Sequence, residues 1–406
     1  MLVPPEINAS GDRSFAAYTL RNRLPHILRQ IIQDGDYLAE VVGQLEVLGT
    51  DILDGTITSL SETEETTSVI WPQCLQSHLG KTWFEAPFFF VEMYFYRRII
   101  DIIDYHHAPN SESCDPFITK KRQGFTDAQP RTRQLADWLA TGLETSNLLA
   151  PLQALLLANL WSNCADLSQL PETFRPEQED SVHAAQKDPT PSRRNEKLLV
   201  DDGLEVSRFI VQRSAPLQRV DIILDNTGIE LTSDLALADF LLRTNLAQQV
   251  ILHAKNYPVF VSDATLHDIR FTIREMATSS ITAVAQWGQR LHEWLESQRL
   301  DLQAHPFWTL PLYFDAMLPD LRADMSVSDL WIVKGDANYR RLVGDRHWPL
   351  DASIDTITQY LTAPCLALRV LKCELLVGMD LAKLNSLELE DDWMTNGTYG
   401  IIQFIS

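Results

Sequence analysis

Oxygen donors and cations recur where short apolar runs of this sequence end. The run RVDIIL stops at Asp225 and Asn226, and Thr227, Gly228 and a helical pattern come next. QVILH is followed by Lys255, PVFVS by Asp263, and DLWIV by KGDANYRR, which carries Lys334, Asp336, Asn338, Tyr339 and Arg340. Arg369 and Lys372 stand just before CELLVGM. Asp225, Asn226 and Asp263 are hard donors of the kind that hold Mg²⁺, Mn²⁺ or a similar ion, with water in the open positions. Lys255, Lys334, Arg369 and Lys372 offer positive charge to an anion. Glu230 can reach the same region from the first turn of the following helix, where the helix dipole also favours an acid. A metal with open positions beside cations suits phosphoester hydrolysis, in which charge develops on the phosphoryl oxygens.

Each residue also has a plainer reading. Asp and Asn are favoured in turns and at helix N-termini, where they bond backbone N–H groups. Asp263 sits in SDAT, itself a plausible helix start. Arg369 and Lys372 fit one solvated face of a helix. His253 lies in an apolar run and reads as a satisfied core histidine, and His106–His107 reads as loop. The aromatic cluster WFEAPFFFVEMYFYRR reads as core, and no HExxH pattern occurs.

The elements that would position these groups alternate. RVDIILD, QVILHAK, PVFVSD, DLWIVKGD and CELLVGM read as strands. IELTSDLALADFLLRTNLA reads as a helix, because Leu231, Leu235, Ala238 and Leu242 share one face. TLHDIRFTIREMATSSITAVAQWGQRLHEWLESQRL and TITQYLTAPCLALRVLK also read as helical. This pattern predicts an α/β fold, α+β overall, in which a helical N-terminal region over residues 1–170 precedes a linker or loop at 171–197. Residues 198–406 are expected to form a three-layer α/β/α sandwich on a mostly parallel sheet. Such sheets bind ligands beyond the C-terminal ends of their strands, which is where the donors and cations fall. The helical region is expected to roof that edge.

Bulk properties narrow the partners. The chain has 406 residues and a formal net charge of -21, which disfavours nucleic acid and anionic lipid. Apolar residues make up 45% and charged ones 22%, ordinary for a soluble globular protein. The five cysteines, Cys74, Cys114, Cys164, Cys365 and Cys373, form no CxxC pair and point to a reducing, cytoplasmic setting. No secretory signal or membrane-spanning run is legible. Oligomeric state is not encoded in any of these features.

LDNTGIELTSDLALADFLL, HAKNYPVFVSDAT, HPFWTLP, LWIVKGDANYRRLVGDRHWP and LRVLKCELLVGM together resemble the damage-control phosphatases. They resemble subfamily III in particular, also called acidic residue methyltransferase-like. WFEAPFFFVEMYFYRR and LWSNCADLS extend the resemblance over nearly the whole chain. It implies a phosphatase dependent on Mn²⁺, Co²⁺ or Ni²⁺, with Mg²⁺ also suitable, acting on small anionic phosphometabolites such as fructose 1-phosphate and fructose 6-phosphate. It places the metal ligands on Asp225, Asn226 and Asp263, and a substrate-binding segment on Asp336 to Arg340. The family's RTxK signature falls on Arg369 to Lys372, with Val370 where the family has Thr, a change that implies an altered substrate range. On this reading Lys334 and Lys372 neutralise the phosphoryl oxygens. Asp336, Asn338 and Arg340 position the sugar phosphate, with Glu230, Tyr339 and Arg369 beside them. Asp225 and Asp263 are the catalytic candidates, each as ligand and as nucleophile or base. A relative described as an S-adenosylmethionine-dependent carboxyl methyltransferase supplies one rival, although no GxGxxG loop follows a strand here. A non-catalytic metal or sugar-phosphate binder is the other.

Overall fold

The structure, a computed structural model, describes residues 3–11, 14–60, 70–107, 114–141, 147–163, 197–387 and 389–406. The expected linker therefore lies outside the described residues apart from Lys197. The sheet has seven strands: β1 (Leu198–Asp201), β2 (Leu217–Ile223), β3 (Ala247–Ala254), β4 (Leu300–Ala304), β5 (Leu330–Lys334), β6 (Cys365–Val370) and β7 (Gly400–Ile405). Their order across the sheet is β1-β7-β6-β5-β2-β3-β4. From β6 to β4 all neighbours are parallel. β7 runs antiparallel to β6, and β1 is parallel to β7.

Side chains alternate between two cores, one on each sheet face. Val220, Ile222, Leu330 and Ile332 enter one, while Ile223, Trp331 and Val333 enter the other. A strand covered on both faces needs no polar side, so it reads as a continuous apolar run. The helical N-terminal region is shared between these cores. Helices Leu24–Asp34, Ala39–Asp54 and Phe88–Ile102 contribute to the Trp331 face. Gln129–Thr141 and Leu149–Leu160 contribute to the Ile332 face. The result is the three-layer α/β arrangement expected, with the sheet's own packing completed by the N-terminal helices.

Several expected elements differ. PVFVSD forms a tight turn, with Phe260 at φ 49° and Val261 at φ 71°. β-branched and aromatic residues mark it as a strand, yet it sits past the end of β3, where no neighbour offers a ladder. TITQYLTAPCLALRVLK is not one helix: a short helix ends at Ile357, turns follow, and Cys365–Val370 is β6; CELLVGM is irregular chain. There the apolar run is too uniform to show a period, so it cannot separate a buried strand from a buried helix. The long helix after Thr265 is two helices, Leu266–Ala277 and Thr282–Glu296, followed by β4. Among the described residues, Cys74, Cys365 and Cys373 are free thiols, and no helix is long and apolar enough to cross a membrane.

Candidate active site

The chain leaves β2 and continues to β3 on one side, but later returns to place β5 on β2's other side. The connections after β2 and β5 therefore diverge. The helix Ile229–Arg243 buries Leu231 and Leu235 in the Ile332 core, whereas Gly335–Val343 buries Tyr339 and Leu342 in the Trp331 core. A crevice opens at such a switch of direction, and α/β sheets bind ligands there. Asp225 and Asn226 come after β2, and Asp336 after β5, so the sheet order alone brings these sequence words together.

Backbone bonds then fix the third oxygen donor. Ala264 N–H donates to Asp225 O at 2.8 Å, and Thr227 N–H donates to Ser262 O at 2.7 Å. This bridge pairs Asn226 directly with Asp263. The strained Phe260–Val261 turn makes it possible by reversing the chain just before Ser262. Beyond it, Thr265 caps the next helix. Its N–H donates to Asp268 Oδ2 at 3.0 Å, and its hydroxyl accepts from Asp268 N–H at 3.4 Å. Lys121 Nζ, 2.8 Å from the same Asp268 oxygen, ties that cap to the N-terminal region.

Neither Asp225 nor Asn226 caps the Ile229–Arg243 helix. Its first residue follows Gly228, and no side chain accepts from its opening N–H groups. Instead Asn226 Nδ2 donates to Asp225 Oδ2 at 2.7 Å and to Glu230 Oε2 at 2.9 Å, while Ser262 Oγ donates to Asn226 Oδ1 at 2.5 Å. Asp225 and Asp263 are both buried. Burial, and then the charges of Asp263 and Glu230, push the Asp225 carboxyl well above the usual range. Burial likewise pushes Asp263 up to about 6, against the pull of Lys255. Lys255 Nζ stands 3.2 Å from Asp263 Oδ2, yet that oxygen has no aligned hydrogen bond among the described residues. Buried carboxylates that repel each other, one with an orphaned oxygen, fit a divalent ion: its charge would offset the repulsion and its coordination would satisfy the oxygen. No cluster of three His, Cys, Asp or Glu side chains arranged for a metal occurs among the described residues. The donor set here is instead two carboxylates and a carboxamide.

The cations divide into two groups. Lys372 lines the same pocket as Asp225, Asn226 and Asp263, and its charge lowers the Asp225 carboxyl. Its ammonium has no carboxylate partner among the described residues. Lys334 is different: it is buried beneath the site, 3.0 Å from both Glu230 Oε1 and Asp234 Oδ1. Burial opposes its charge, but Asp234 and Glu230 outweigh that and raise its pKa. It is thus fully engaged in holding Glu230, which in turn holds Asn226. Lys334→Met should leave two buried acids uncompensated and cost about 3–5 kcal/mol of stability in denaturant unfolding. A melting curve like that of the unaltered protein would show the triad to be dispensable.

The substrate segment splits along its helix. Asp336 and Arg340 line the pocket. Arg369 Nη2 is 2.8 Å from Asp336 Oδ1, and Lys372 N–H donates to the same oxygen at 3.1 Å. Arg340 is clamped between Asp345 (2.8 Å) and Glu92 (2.5 Å), the latter from the helix Phe88–Ile102. Asn338 and Tyr339 face away from the pocket. Asn338 Nδ2 donates to Leu224 O at 2.9 Å, and Tyr339 hydroxyl donates to Gln403 at 3.0 Å. Arg369 lies in β6 and packs over the Tyr339 ring at 4.4 Å, so the solvated-helix reading of Arg369 and Lys372 does not apply. Val370 packs in the Ile332 core, on the sheet face away from Asp336. His253 is a core residue, its Nε2 2.6 Å from Asp221 Oδ1.

Some participants escaped the sequence reading. Gly335 takes φ 79°, and a Cβ there would come within 2.0 Å of Asp225 Oδ2. A glycine directly after a strand, in KGD, was the available signal. Glu92 was legible only as a lone carboxylate in an aromatic run. Ser262 carried no signal, because a serine in a loop is ordinary.

The Damage-control phosphatase ARMT1-like domain matches residues 19–386. The chain belongs to this damage-control phosphatase family. It is 32% identical to damage-control phosphatase ARMT1 of Danio rerio, over 100% of this chain and 98% of that one. It is 30% identical to the proteins of the same name from Mus musculus (99% and 98% covered) and Homo sapiens (99% of each). Among solved structures it is similar to a DUF89 family protein from Pyrococcus horikoshii, with a TM-score of 0.49 and 13% identity over 96% of this chain and 98% of that one. The family match runs from the N-terminal helices through the last residues of the pocket, so it spans both halves of the site.

Proposed function

We propose that this damage-control phosphatase uses a divalent ion, Mn²⁺, Co²⁺ or Ni²⁺ in preference to Mg²⁺, to hydrolyse sugar phosphates such as fructose 1-phosphate and fructose 6-phosphate. The observation that carries the reading is the buried Asp225–Asp263 pair, with its orphaned oxygen, facing a pocket that also holds an unpaired lysine. Asp225, Asn226 and Asp263 would hold the ion, which when bound polarises the phosphoryl group and lowers the pKa of water. Lys372 offsets charge on the phosphoryl oxygens as it develops. Asp336, fixed by Arg369 and the Lys372 backbone, accepts hydrogen bonds from the sugar hydroxyls, and Arg340 lines the wall beside it. The pocket, of about 360 Å³, is large enough for one sugar phosphate.

The test is phosphate release by metal-stripped protein. Added Mn²⁺, Co²⁺ or Ni²⁺ should restore hydrolysis of the two fructose phosphates by at least about 100-fold over the stripped protein. Activity that survives chelation unchanged would remove the metal from the reading.

A further inference from the structure

The wall of the pocket supplied by the N-terminal region contains an arrangement that phosphate hydrolysis at Asp225 does not use. Between the helical turn Phe15–Tyr18 and the helix Leu24–Asp34, residues Thr19–Arg23 form a π-helical turn, closed by Leu24 N–H donating to Thr19 O. Such turns are rare, and they are frequently found at functional sites. Thr19 and Arg23, the two ends of this one, both line the pocket. Thr19 is 1% exposed, and its hydroxyl has no hydrogen-bond partner among the described residues. A buried hydroxyl without a protein partner calls for a water, an ion or a ligand to satisfy it.

Arg23 has no carboxylate partner among the described residues. Its guanidinium packs over the Phe15 ring at 5.3 Å, and Phe15 N–H donates to Glu374 at 3.3 Å, two residues past Lys372. The arginine is thus held over the same pocket, solvent-exposed and in no ion pair among the described residues. That charge also bears on Glu92 and Tyr96, on the pocket wall. In a chain of net charge -21, an unpaired cation at a pocket wall is conspicuous. Lys372 is the second such cation in the same pocket, beside Asp225. Two cations lining one pocket match a ligand with two anionic groups.

We propose that Thr19 and Arg23 form a subsite for a second anionic group of the substrate, so that the enzyme favours phosphomonoesters that also carry another phosphate or a carboxylate. This rests on the phosphatase reading above. In this subsite Arg23 pairs with the second anion and the Thr19 hydroxyl donates to it.

The experiment compares metal-loaded protein with its Arg23→Gln and Arg23→Lys variants on fructose 1,6-bisphosphate and on p-nitrophenyl phosphate. In Arg23→Gln, kcat/KM for the bisphosphate should fall at least tenfold further than that for p-nitrophenyl phosphate, mainly through KM. Arg23→Lys should recover most of the selectivity. An unchanged ratio between the two substrates would overturn the proposal. Calorimetric binding of the same two compounds separates this failure from that of the phosphatase reading. If the unaltered protein hydrolyses neither, the subsite still predicts at least tenfold weaker bisphosphate binding in Arg23→Gln, relative to p-nitrophenyl phosphate. Equal loss for both compounds, or none, refutes it.

Discussion

Asp225→Asn is expected to abolish metal-stimulated phosphate release and, at the same time, to raise the melting temperature of the metal-free protein. The first effect comes from the donor set. Asp225 is one of the two carboxylates proposed, with Asn226, to hold the ion, and an uncharged amide is a far weaker ligand for a hard cation. On the proposed metal site, losing one of three donors and one of two charges should lower kcat/KM by about 10³-fold or more, roughly 4 kcal/mol of transition-state stabilisation. The second effect comes from the sign of the carboxyl's shift. Burial, Asp263 and Glu230 raise the Asp225 pKa in the folded protein. A group raised on folding prefers to be protonated there. Its contribution to stability is therefore present below the unfolded value, near 4, and is lost as pH rises through the folded value. Above that range the metal-free protein carries the cost of burying this acid beside Asp263 and Glu230, and Asn removes it. Asp263 is kept intact in this variant because Lys255, 3.2 Å away, would otherwise be left without its carboxylate. Thermal melts with chelator and with Mn²⁺ read both effects at once. The unaltered protein should gain stability with Mn²⁺, and the variant should start higher and gain little. A variant that melts lower without metal, yet keeps its Mn²⁺ response, would place the ion elsewhere.

Gly335→Ala should damage the same centre without replacing any proposed ligand. The residue stands at φ 79°, a conformation that side chains other than glycine rarely adopt. Its missing Cβ would lie 2.0 Å from Asp225 Oδ2, 2.2 Å from Cγ and 2.7 Å from Cβ. None of these atoms can retreat easily, because Asp225 O is bonded to Ala264 N–H and its carboxylate to Asn226. Either the helix start moves, carrying Asp336 with it, or the Asp225 carboxylate swings out of the donor set. Both should reduce kcat/KM by about 100-fold or more, since a displacement of about 1 Å can cost that much. Strain adds about 1–3 kcal/mol of destabilisation. Gly43→Ala is the control. It lies in the helix Ala39–Asp54 with nothing within 4 Å of an added Cβ. That change should be neutral or stabilising by about 0.5–1 kcal/mol. Metal affinity measured by calorimetry on both proteins separates a lost donor geometry from a general loss of stability.

Chemistry was legible in this sequence wherever it was local. Asp225–Asn226, Asp263 and KGDANYR stand out because each follows an apolar run, and RVLK because it adjoins one; a parallel sheet collects its strand ends on one edge. The α/β class was legible for the same reason, as the strand and helix periods alternate. Tertiary structure decided the rest. Sheet order placed β5 beside β2, which makes the crevice between Asp225 and Asp336; no pattern within either strand records its neighbour. Burial decided which cations are available. Lys334 and Lys372 look alike in sequence, yet Lys334 meets Glu230 and Asp234 beneath the site while Lys372 stays unpaired in the pocket. The same distinction removes Asn338 and Tyr339 from the pocket, because a helix presents only one face to it. Strand β6 was hidden because its apolar run is buried on both faces and shows no period. The turn at Phe260–Val261 was hidden because its residue types favour a strand, and the contacts that hold it in its strained form, among them the backbone bonds of Asp225 and Thr227, come from distant segments. Sequence therefore determined which groups could do the chemistry. The fold determined which of them meet, and which are consumed in holding the others.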